Sequence, residues 1–292
     1  MGETILFKNI LGNFQFNEEL KLAGKEKKGR EPTEQELKKI LAYFKKQQFY
    51  PDFCKNNLKI TKKAISESVE DDQLIIQTIN NIEELNKVTN ILSKRLREWY
   101  ELYNPETSNA TESHEAFIKL ITTKTKPELL KQLNLTPEKS MGTELKQDDL
   151  KPILSIAKQI IQIYKEKESL EQYLKKVMQR YCPNLLALAG DTIGARLVEQ
   201  AGSLKKLVLF PASTIQLLGA EKALFRHIKT GARCPKYGIL INHPLIAKAK
   251  RNLHGKIART LADKISIAVK VDYYKGEFIG DKLKKELEEK LK

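Results

Sequence analysis

The chain has 292 residues, of which 41% are hydrophobic and 30% are charged, and its formal net charge is +15. That length exceeds what one hydrophobic core usually serves, and the apolar content excludes disorder throughout, so we expect two or three folded modules. No stretch reaches the roughly 18 apolar residues of a membrane-spanning helix, and residues 1–4 show no leader-peptide pattern. We therefore expect a soluble intracellular protein with an anionic partner and reduced cysteines.

Residues 1–65 predict a small α/β domain. The runs Ile5–Phe7 and Phe14–Phe16 alternate like short strands on either side of Gly12-Asn13, which is typical hairpin-turn chemistry. Farther along, Thr33 and Glu36 have the spacing of a capping box and precede apolar residues at helical spacing. A small sheet followed by a helix accounts for both patterns.

Residues 66–182 predict a domain built on two long helices. Apolar residues recur every three or four positions over 72–100 and again over 150–181, so each segment carries a narrow apolar seam. The interval 104–149 is rich in Thr, Pro, Asn and Lys. The pattern fits an antiparallel coiled-coil hairpin with an elaborated tip, and periodicity alone leaves an ordinary helical bundle core as an open alternative.

Residues 183–292 predict an all-α domain. Its first helix carries several small residues, which permit close helix packing, and Gly219 separates two of the helices that follow. The tail is a polar helix with Leu283, Leu287 and Leu291 on one face, and we expect it to form a solvated cap. The predicted helices span 185–199, 211–218, 221–228, 244–274 and 281–292. Together the three domains predict a mainly α fold.

The most informative feature is the segment 222–262, which contains no Asp or Glu and is called the acid-free segment below. A solvated helix face normally mixes both signs of charge, so a long cationic run is unfavourable unless an anion compensates it. Nucleic acid phosphate is the hypothesis that we adopt, and a surplus of lysine on a basic protein is the plain alternative. The cations of the segment are Lys222, Arg226, Lys229, Arg233, Lys236, Lys248, Lys250, Arg251, Lys256 and Arg259.

The turn 218–222 lies where a helix is predicted to begin. Free backbone N–H groups at a helix start favour phosphate, so Gly219 and Ala220 are candidate phosphate contacts. Gly219 is equally compatible with a simple helix break, and Glu221 with a first-turn carboxylate that complements the helix dipole. Both interpretations stay open on the sequence alone.

Motifs typical of catalysis are missing from the sequence. There is no phosphate-binding G-x-x-x-x-G-K-[ST] loop, no G-x-S-x-G nucleophile elbow and no G-x-G-x-x-G dinucleotide turn. His227, Cys234 and His243 match no usual zinc spacing, and a fourth ligand is not evident. We expect neither an enzyme nor a bound metal or cofactor.

Several motifs together resemble the Nop domain of the core proteins of box C/D guide ribonucleoproteins. The resemblance covers about residues 141–278, and 96–100 is similar to the end of the first coiled-coil helix of that family. The motifs are Met141–Glu144, Pro183–Leu185, Gly194–Leu197, Ala201–Leu204, Pro211–Arg226, Pro235–Gly238 and Gly255–Arg259.

The resemblance implies a non-catalytic scaffold of the archaeal type, located in the cytoplasm, that directs 2′-O-methylation of ribose in rRNA or tRNA. Its amino-terminal domain would bind the methyltransferase fibrillarin, and its Nop domain would bind the box C/D guide RNA together with the kink-turn-binding ribosomal-type protein. The RNA-contacting residues implied by the resemblance and the acid-free segment are Gly219, Ala220, Glu221, Lys222, Arg226, Arg233, His243, Lys256 and Arg259.

The resemblance also implies a homodimer formed through the coiled coil. The seam positions expected at that interface are Ile79, Ile82, Leu92, Ile153, Ile160 and Leu174. Two other functions stay open: a spliceosomal-type Nop-domain factor that works without fibrillarin, and an enzyme that binds S-adenosylmethionine itself. Association with fibrillarin separates the first from the scaffold, and binding of S-adenosylmethionine separates the second.

Overall fold

A computed structural model of the chain describes residues 4–17, 19–24 and 29–291. Residues 1–3, which belong to the segment examined for a leader peptide, lie outside the described part. The chain divides into two compact units, Met1–Glu70 and Asp71–Lys292, which we take separately. The three-domain division at residues 65 and 182 stays a prediction.

The first unit contains the strands and two helices, and the second unit is helical. The first unit has β1 (Ile5–Asn9), β2 (Gly12–Phe16), β3 (Leu22–Gly24), α1 (Glu34–Phe44) and α2 (Tyr50–Glu67). The second has α3 (Asp71–Glu101), α4 (Pro105–Ala110), α5 (His114–Thr123), α6 (Lys126–Gln132), α7 (Gln147–Tyr181), α8 (Pro183–Ala189), α9 (Asp191–Ala201), α10 (Leu204–Leu209), α11 (Ala212–Leu217), α12 (Glu221–Thr230), α13 (Pro244–Ala247), α14 (His254–Tyr273) and α15 (Gly280–Leu291). Short 3-10 helices lie at Gln47–Phe49, Pro137–Lys139 and Ile239–Asn242.

The three strands form an antiparallel sheet in the order β1-β2-β3. The predicted hairpin is present, but its predicted turn is wrong: Ile10 and Leu11 make the turn, whereas Gly12 and Asn13 lie in β2. The turn chemistry comes from Asn9, whose side-chain oxygen accepts a hydrogen bond from the Leu11 N–H at 2.9 Å. An Asn side chain that bonds the backbone two residues ahead favours a turn by a mechanism that does not need glycine.

Helix α1 packs on the sheet through a small aromatic core that includes the buried Phe16 and Ile40. The predicted capping box is confirmed, because Glu36 accepts hydrogen bonds from both the backbone and the hydroxyl of Thr33. The same carboxylate binds the Arg30 guanidinium through two bonds of 2.9 and 2.7 Å. The Arg30 hydrogen bonds, followed by those from Thr33, lower the pKa of Glu36 to about 2.

In the second unit, α3 and α7 pack antiparallel along their length, as the hairpin prediction states. At the base, Arg180 near the end of α7 binds Asp71 at the start of α3 through bonds of 2.9 and 2.7 Å. At the other end, Leu96 of α3 and Ile153 of α7 share one core cluster. The base of the hairpin is also buried in the core of the C-terminal helices. This part therefore packs as a helical bundle core, which was the alternative that the periodicity left open.

The motif Met141–Glu144 closes the tip of the hairpin. The Thr143 N–H donates to the Leu102 carbonyl at 2.9 Å, and Gly142 lies so close to the Tyr103 carbonyl that a Cβ would overlap it. The buried Lys126 donates to the Gly142 carbonyl at 3.3 Å and to the Glu144 carboxylate at 2.8 Å. The motif therefore has a structural role between α3, α6 and α7.

The seam residues expected at a dimer interface are packed inside a single chain. Ile79, Ile82 and Leu174 are buried in the cluster at the hairpin base, and Ile153 and Ile160 are buried in the cluster near its tip. Leu92 is partly buried against the second cluster. The five buried side chains are enclosed by their own chain and are not available to a second copy, whereas Leu92 is only partly covered.

A buried carboxylate joins three parts of the C-terminal core. Asp272 accepts hydrogen bonds from the Asn184 backbone at 3.0 Å, the Asn184 side chain at 2.8 Å and the Leu185 backbone at 2.8 Å. The Asn184 side-chain oxygen accepts from the Ile279 N–H at 2.7 Å. Asp272 thus links the end of α14 to the start of α8, and Asn184 extends the link to the segment before α15. Burial raises the pKa of Asp272.

The tail is not the solvated cap that the sequence suggests. In α15, Leu283 and Leu287 are buried against α8 and α14, and the buried Lys264 of α14 binds Glu286. The Leu291 side chain lies outside the described part of the structure. The polar composition of the tail predicted a solvated helix. The prediction is wrong because two buried leucines are enough to pack a short helix against the core.

The mainly α architecture with a small α/β part at the amino terminus is confirmed. Within the described ranges, the helices include none that is both long enough and apolar enough to cross a membrane.

We predict that Asp272→Ala lowers the free energy of unfolding by about 2–4 kcal/mol, because three buried N–H donors lose their acceptor. Urea denaturation measures the loss. Asp263→Ala, on the exposed face of the same helix, is the matched control and should change stability by less than about 0.5 kcal/mol. Equal effects of the two substitutions would contradict the structural role of Asp272.

Candidate nucleic-acid interface

The acid-free segment folds into α12, the loop and 3-10 helix that follow, α13, and the first half of α14. Its cations face solvent: Lys222 and Arg226 on α12, Arg233 in the loop, and Lys256 and Arg259 on α14 are all exposed. Among the described residues, no carboxylate lies within ion-pair distance of any cation of this segment. The segment therefore leaves its positive charge uncompensated within the chain.

Contacts between the turn, the loop and α14 bring most of these groups to one region. The Gly238 N–H donates to the Gln216 carbonyl at 2.9 Å, and the Ile239 N–H donates to the Leu218 carbonyl at 2.8 Å. The loop in turn meets the start of α14, since a Cβ on Gly255 would lie 3.5 Å from the Lys236 side chain. The loop is thus joined both to the turn before α12 and to the start of α14.

Gly219 has a backbone conformation that its neighbours require. Its φ is +83°, and a Cβ would lie 2.6 Å from the Ile239 side chain. The Gly219 N–H donates to the Glu221 carboxylate at 2.6 Å, so within the chain that amide already has an anionic acceptor. In the isolated chain, Gly219 therefore acts as a helix break, and Glu221 is a carboxylate in the first turn of α12.

The start of α12 still offers donors to an anion. The first backbone N–H groups of a helix have no intrahelical acceptor, and Ala220 at the N-cap has no side-chain oxygen to supply one. Lys222 and Arg226 are one turn apart, so they lie on the same side of this helix. Backbone donors and two flexible cations at one helix end form a suitable phosphate contact.

Helix α12 also exposes apolar side chains, which the sequence did not reveal. The helix has no buried residue; Phe225 is 59% exposed and Ile228 is 73% exposed. The Lys229 ammonium lies 4.9 Å from the centre of the Phe225 ring. An apolar ridge therefore runs beside the row of cations. The helical spacing of Phe225 and Ile228 is visible in the sequence. Such spacing normally indicates the buried face of a helix, so the sequence did not predict that these two side chains are exposed.

His243 is buried in the folded chain, unlike the exposed cations of the acid-free segment, and its assignment as an RNA contact stays a prediction. It is only 8% exposed, and its Nε2 lies 3.0 Å from the Leu188 carbonyl. Its Nδ1 accepts from the Leu245 N–H at 3.3 Å, which caps α13. Burial lowers the pKa of His243, so the ring is neutral near pH 7 with both nitrogens occupied.

The three residues considered as zinc ligands have other surroundings. His227 bonds the Ala232 carbonyl through Nδ1, His243 is buried, and Cys234 is exposed. Within residues 4–17, 19–24 and 29–291, no three His, Cys, Asp or Glu side chains are grouped to hold a metal ion. The chemistry offered by the region is that of cations, helix-start amides and an apolar ridge.

We predict that His243→Ala lowers the free energy of unfolding by about 1–3 kcal/mol, because the Leu188 carbonyl and the Leu245 N–H lose their partner. Once folded, the variant should bind RNA with the same affinity as the wild type. Urea denaturation measures the stability, and a binding titration at one salt concentration measures the affinity. The exposed neighbour Asn242, changed to alanine, is the control for both, and a weaker affinity in His243→Ala alone would support the RNA contact.

A family model described as "Nop: snoRNA binding domain, fibrillarin" matches residues 81–292. The chain is 42% identical over 272 residues to an uncharacterized NOP5 family protein of Methanocaldococcus jannaschii, covering 87% of this chain and 65% of the relative. It is 39% identical over 243 residues to nucleolar protein 56 of Dictyostelium discoideum, covering 76% and 45%. It is 39% identical over 215 residues to nucleolar protein 58 of Mycosarcoma maydis, covering 69% and 37%.

The chain thus spans between 37% and 65% of the length of these curated relatives. A solved structure of a fibrillarin/Nop5p complex contains a chain that superposes with a TM-score of 0.48 at 22% identity, covering 97% of this chain and 99% of that one. The family match includes all of the acid-free segment and both helices of the hairpin except the first residues of α3.

Proposed function

The chain belongs to the Nop family, and on this premise we propose that it is a scaffold that binds a box C/D guide RNA and recruits the proteins that act on it. The observation that carries the proposal is the exposed acid-free surface, whose cations have no ion-pair partner among the described residues. Phosphate binding releases counterions from RNA, so such a surface gains affinity from each cation that it contributes. Like charges that repel one another in the free chain become favourable in the complex.

Recognition at this surface depends on RNA shape together with a protein neighbour. Lys222 and Arg226 contact phosphates, while the apolar ridge of Phe225 and Ile228 meets the kink-turn-binding ribosomal-type protein on the same RNA. A ridge that exposes a phenylalanine and an isoleucine beside a row of cations suits a composite of protein and RNA better than a bare duplex. Sequence choice then comes from pairing between guide and target.

We predict that the double variant Lys222→Ala, Arg226→Ala weakens binding to kink-turn RNA carrying its protein by tenfold or more near 0.1 M salt. Two lost phosphate contacts should also lower the slope of log K against log salt by about 1.5–2. Titrations over a range of salt concentrations measure both. The control is Lys158→Ala, Lys165→Ala on exposed parts of α7, and equal losses in the two variants would contradict the proposed surface.

The amino-terminal unit is the proposed binding site for fibrillarin. An apolar groove of about 580 Å³ lies between the hairpin turn, the end of α1 and the start of α2, with Phe7, Leu11, Phe44 and Phe53 among its lining residues. Grooves lined by aromatic side chains are favourable docking sites for apolar anchors of a protein partner. Methyl transfer to ribose would then reside in fibrillarin, and this chain would supply no catalytic group.

We predict that Phe53→Glu, at the mouth of this groove, abolishes co-purification with fibrillarin because a carboxylate there has no partner once the groove is covered. Lys46→Glu, which changes charge at a residue that also lines the groove, should reduce binding less.

Isothermal titration with S-adenosylmethionine should give no heat for the isolated chain. Binding of S-adenosylmethionine would favour the enzyme alternative. A wild-type chain that does not bind fibrillarin would favour the spliceosomal-type factor.

Dimerisation through the hairpin requires the outer face of α3, because its seam residues are buried. Val88, Ile91 and Trp99 of α3 are exposed, as is Leu102 directly after the helix, and the four recur at spacings of three, eight and three residues. They form an apolar stripe that a second copy can cover. We propose this stripe as the dimer contact.

We predict that Ile91→Glu, Leu102→Glu converts the dimer to a monomer, because two carboxylates would be buried in the contact without partners. Light scattering of the purified chain measures the mass. The control is Lys158→Glu, Lys165→Glu, which makes the same change of charge at exposed positions of α7 and should leave the dimer intact. A wild-type chain that scatters as a monomer at all concentrations would contradict this part of the proposal.

A further inference from the structure

Helix α2 is eighteen residues long and has no buried residue. Its first turns are fixed to the sheet, because the Asn56 side chain donates to the Ile10 carbonyl at 3.1 Å. From Asn57 to its end the helix is exposed on every side. A helix of this kind is stabilised little by its own core, so its exposed faces are candidates for a partner.

The surroundings of α2 form a second strongly basic stretch of the chain. Residues 37–66 contain eight lysines and a single acid, Asp52. On α2 itself, Lys55, Lys59, Lys62 and Lys63 follow one another at spacings of four, three and one, which places them on one side of the helix. We call these four residues the α2 lysine face.

Within the part of the chain that the structure describes, three of these lysines have no ion pair. Lys63 lies 3.7 Å from Glu67, and both side chains are mostly exposed, so this pair contributes little. Lys55, Lys59 and Lys62 have no carboxylate within that distance among the described residues. As in the acid-free segment, positive charge is concentrated on one surface and is not neutralised within the unit.

We propose that the α2 lysine face is a second RNA-binding surface, which contacts the phosphate backbone of the RNA that the acid-free surface holds. This inference rests on the proposed function, since it assumes that the chain binds RNA. Successive lysines at four-residue spacing are about 6 Å apart along the helix axis, so several of them can reach one strand of phosphates together. The contact reads charge and shape, not base sequence.

The opposite side of α2 argues against a membrane surface as the partner. An interfacial helix needs a continuous apolar face that enters the acyl region. In α2, the middle of that side holds Asn57 and Thr61. The exposed Leu58 and Ile65 lie together on one flank and Ile60 lies on the other, about 160° from Leu58 at 100° per residue, so the apolar side chains form no continuous face. RNA therefore fits the distribution of charge and polarity better than a lipid surface does.

The test uses the whole 292-residue chain and a kink-turn RNA extended by a duplex arm, with the kink-turn-binding protein present. The variant Lys55→Gln, Lys59→Gln, Lys62→Gln should weaken binding at least tenfold near 0.1 M salt and lower the slope of log K against log salt by about 2–3. The matched control is Lys158→Gln, Lys165→Gln, Lys176→Gln, which removes the same charge from exposed positions of α7. Circular dichroism confirms that all variants are folded.

The outcomes separate this inference from the proposed function. If the α2 variant binds like the wild type while Lys222→Ala, Arg226→Ala is impaired, the α2 surface is refuted and the scaffold function stands. If the wild type does not bind the RNA, both are refuted. Equal losses in the α2 variant and its α7 control refute a local contact, and so does an α2 variant that loses only its binding to phosphatidylserine vesicles.

Discussion

The antiparallel packing of α3 against α7 is the constraint on which the second unit depends. At the base of this hairpin, Arg180 binds Asp71, and the adjacent buried Asp72 accepts a hydrogen bond from the Leu204 N–H at 3.1 Å, which ties the start of α3 to the start of α10. The apolar side chains of the base are continuous with the core of the C-terminal helices. Helix α12 has no buried residue and lies outside that core, whereas the start of α14 buries Ile257 in it and exposes Lys256 and Arg259.

Charge is distributed over this chain in two different ways. On the hairpin, acids and bases alternate and pair across a turn, as Glu84 does with Lys87 and Glu115 with Lys119. On the acid-free surface and on α2, lysines stand together with few acids near them. The hairpin is therefore stable as a solvated spacer, whereas the other two surfaces gain free energy when an anion covers them.

The motifs of the sequence predicted most of the fold but fewer of the contacts. The apolar repeats predicted both long helices, and the capping box at Thr33 predicted the start of α1. Both patterns depend only on residues that are near one another in sequence. The burial of His243 and the docking of the polar tail were not foreseen, for a common reason. Whether a polar residue is buried depends on what packs against it, and the partners of His243, the Leu188 carbonyl and the Leu245 N–H, include a group 55 residues away.

The sequence by itself determined the family, the helical class and the concentration of positive charge between residues 222 and 262, since composition and local spacing do not depend on how the chain folds. Tertiary structure decided which of those residues are available. It enclosed the seam leucines and isoleucines within one chain, buried His243 and exposed Phe225. The reason is that exposure is set by contacts between distant segments, and a hydrophobic repeat reads the same in sequence whether its face is covered or open to a partner.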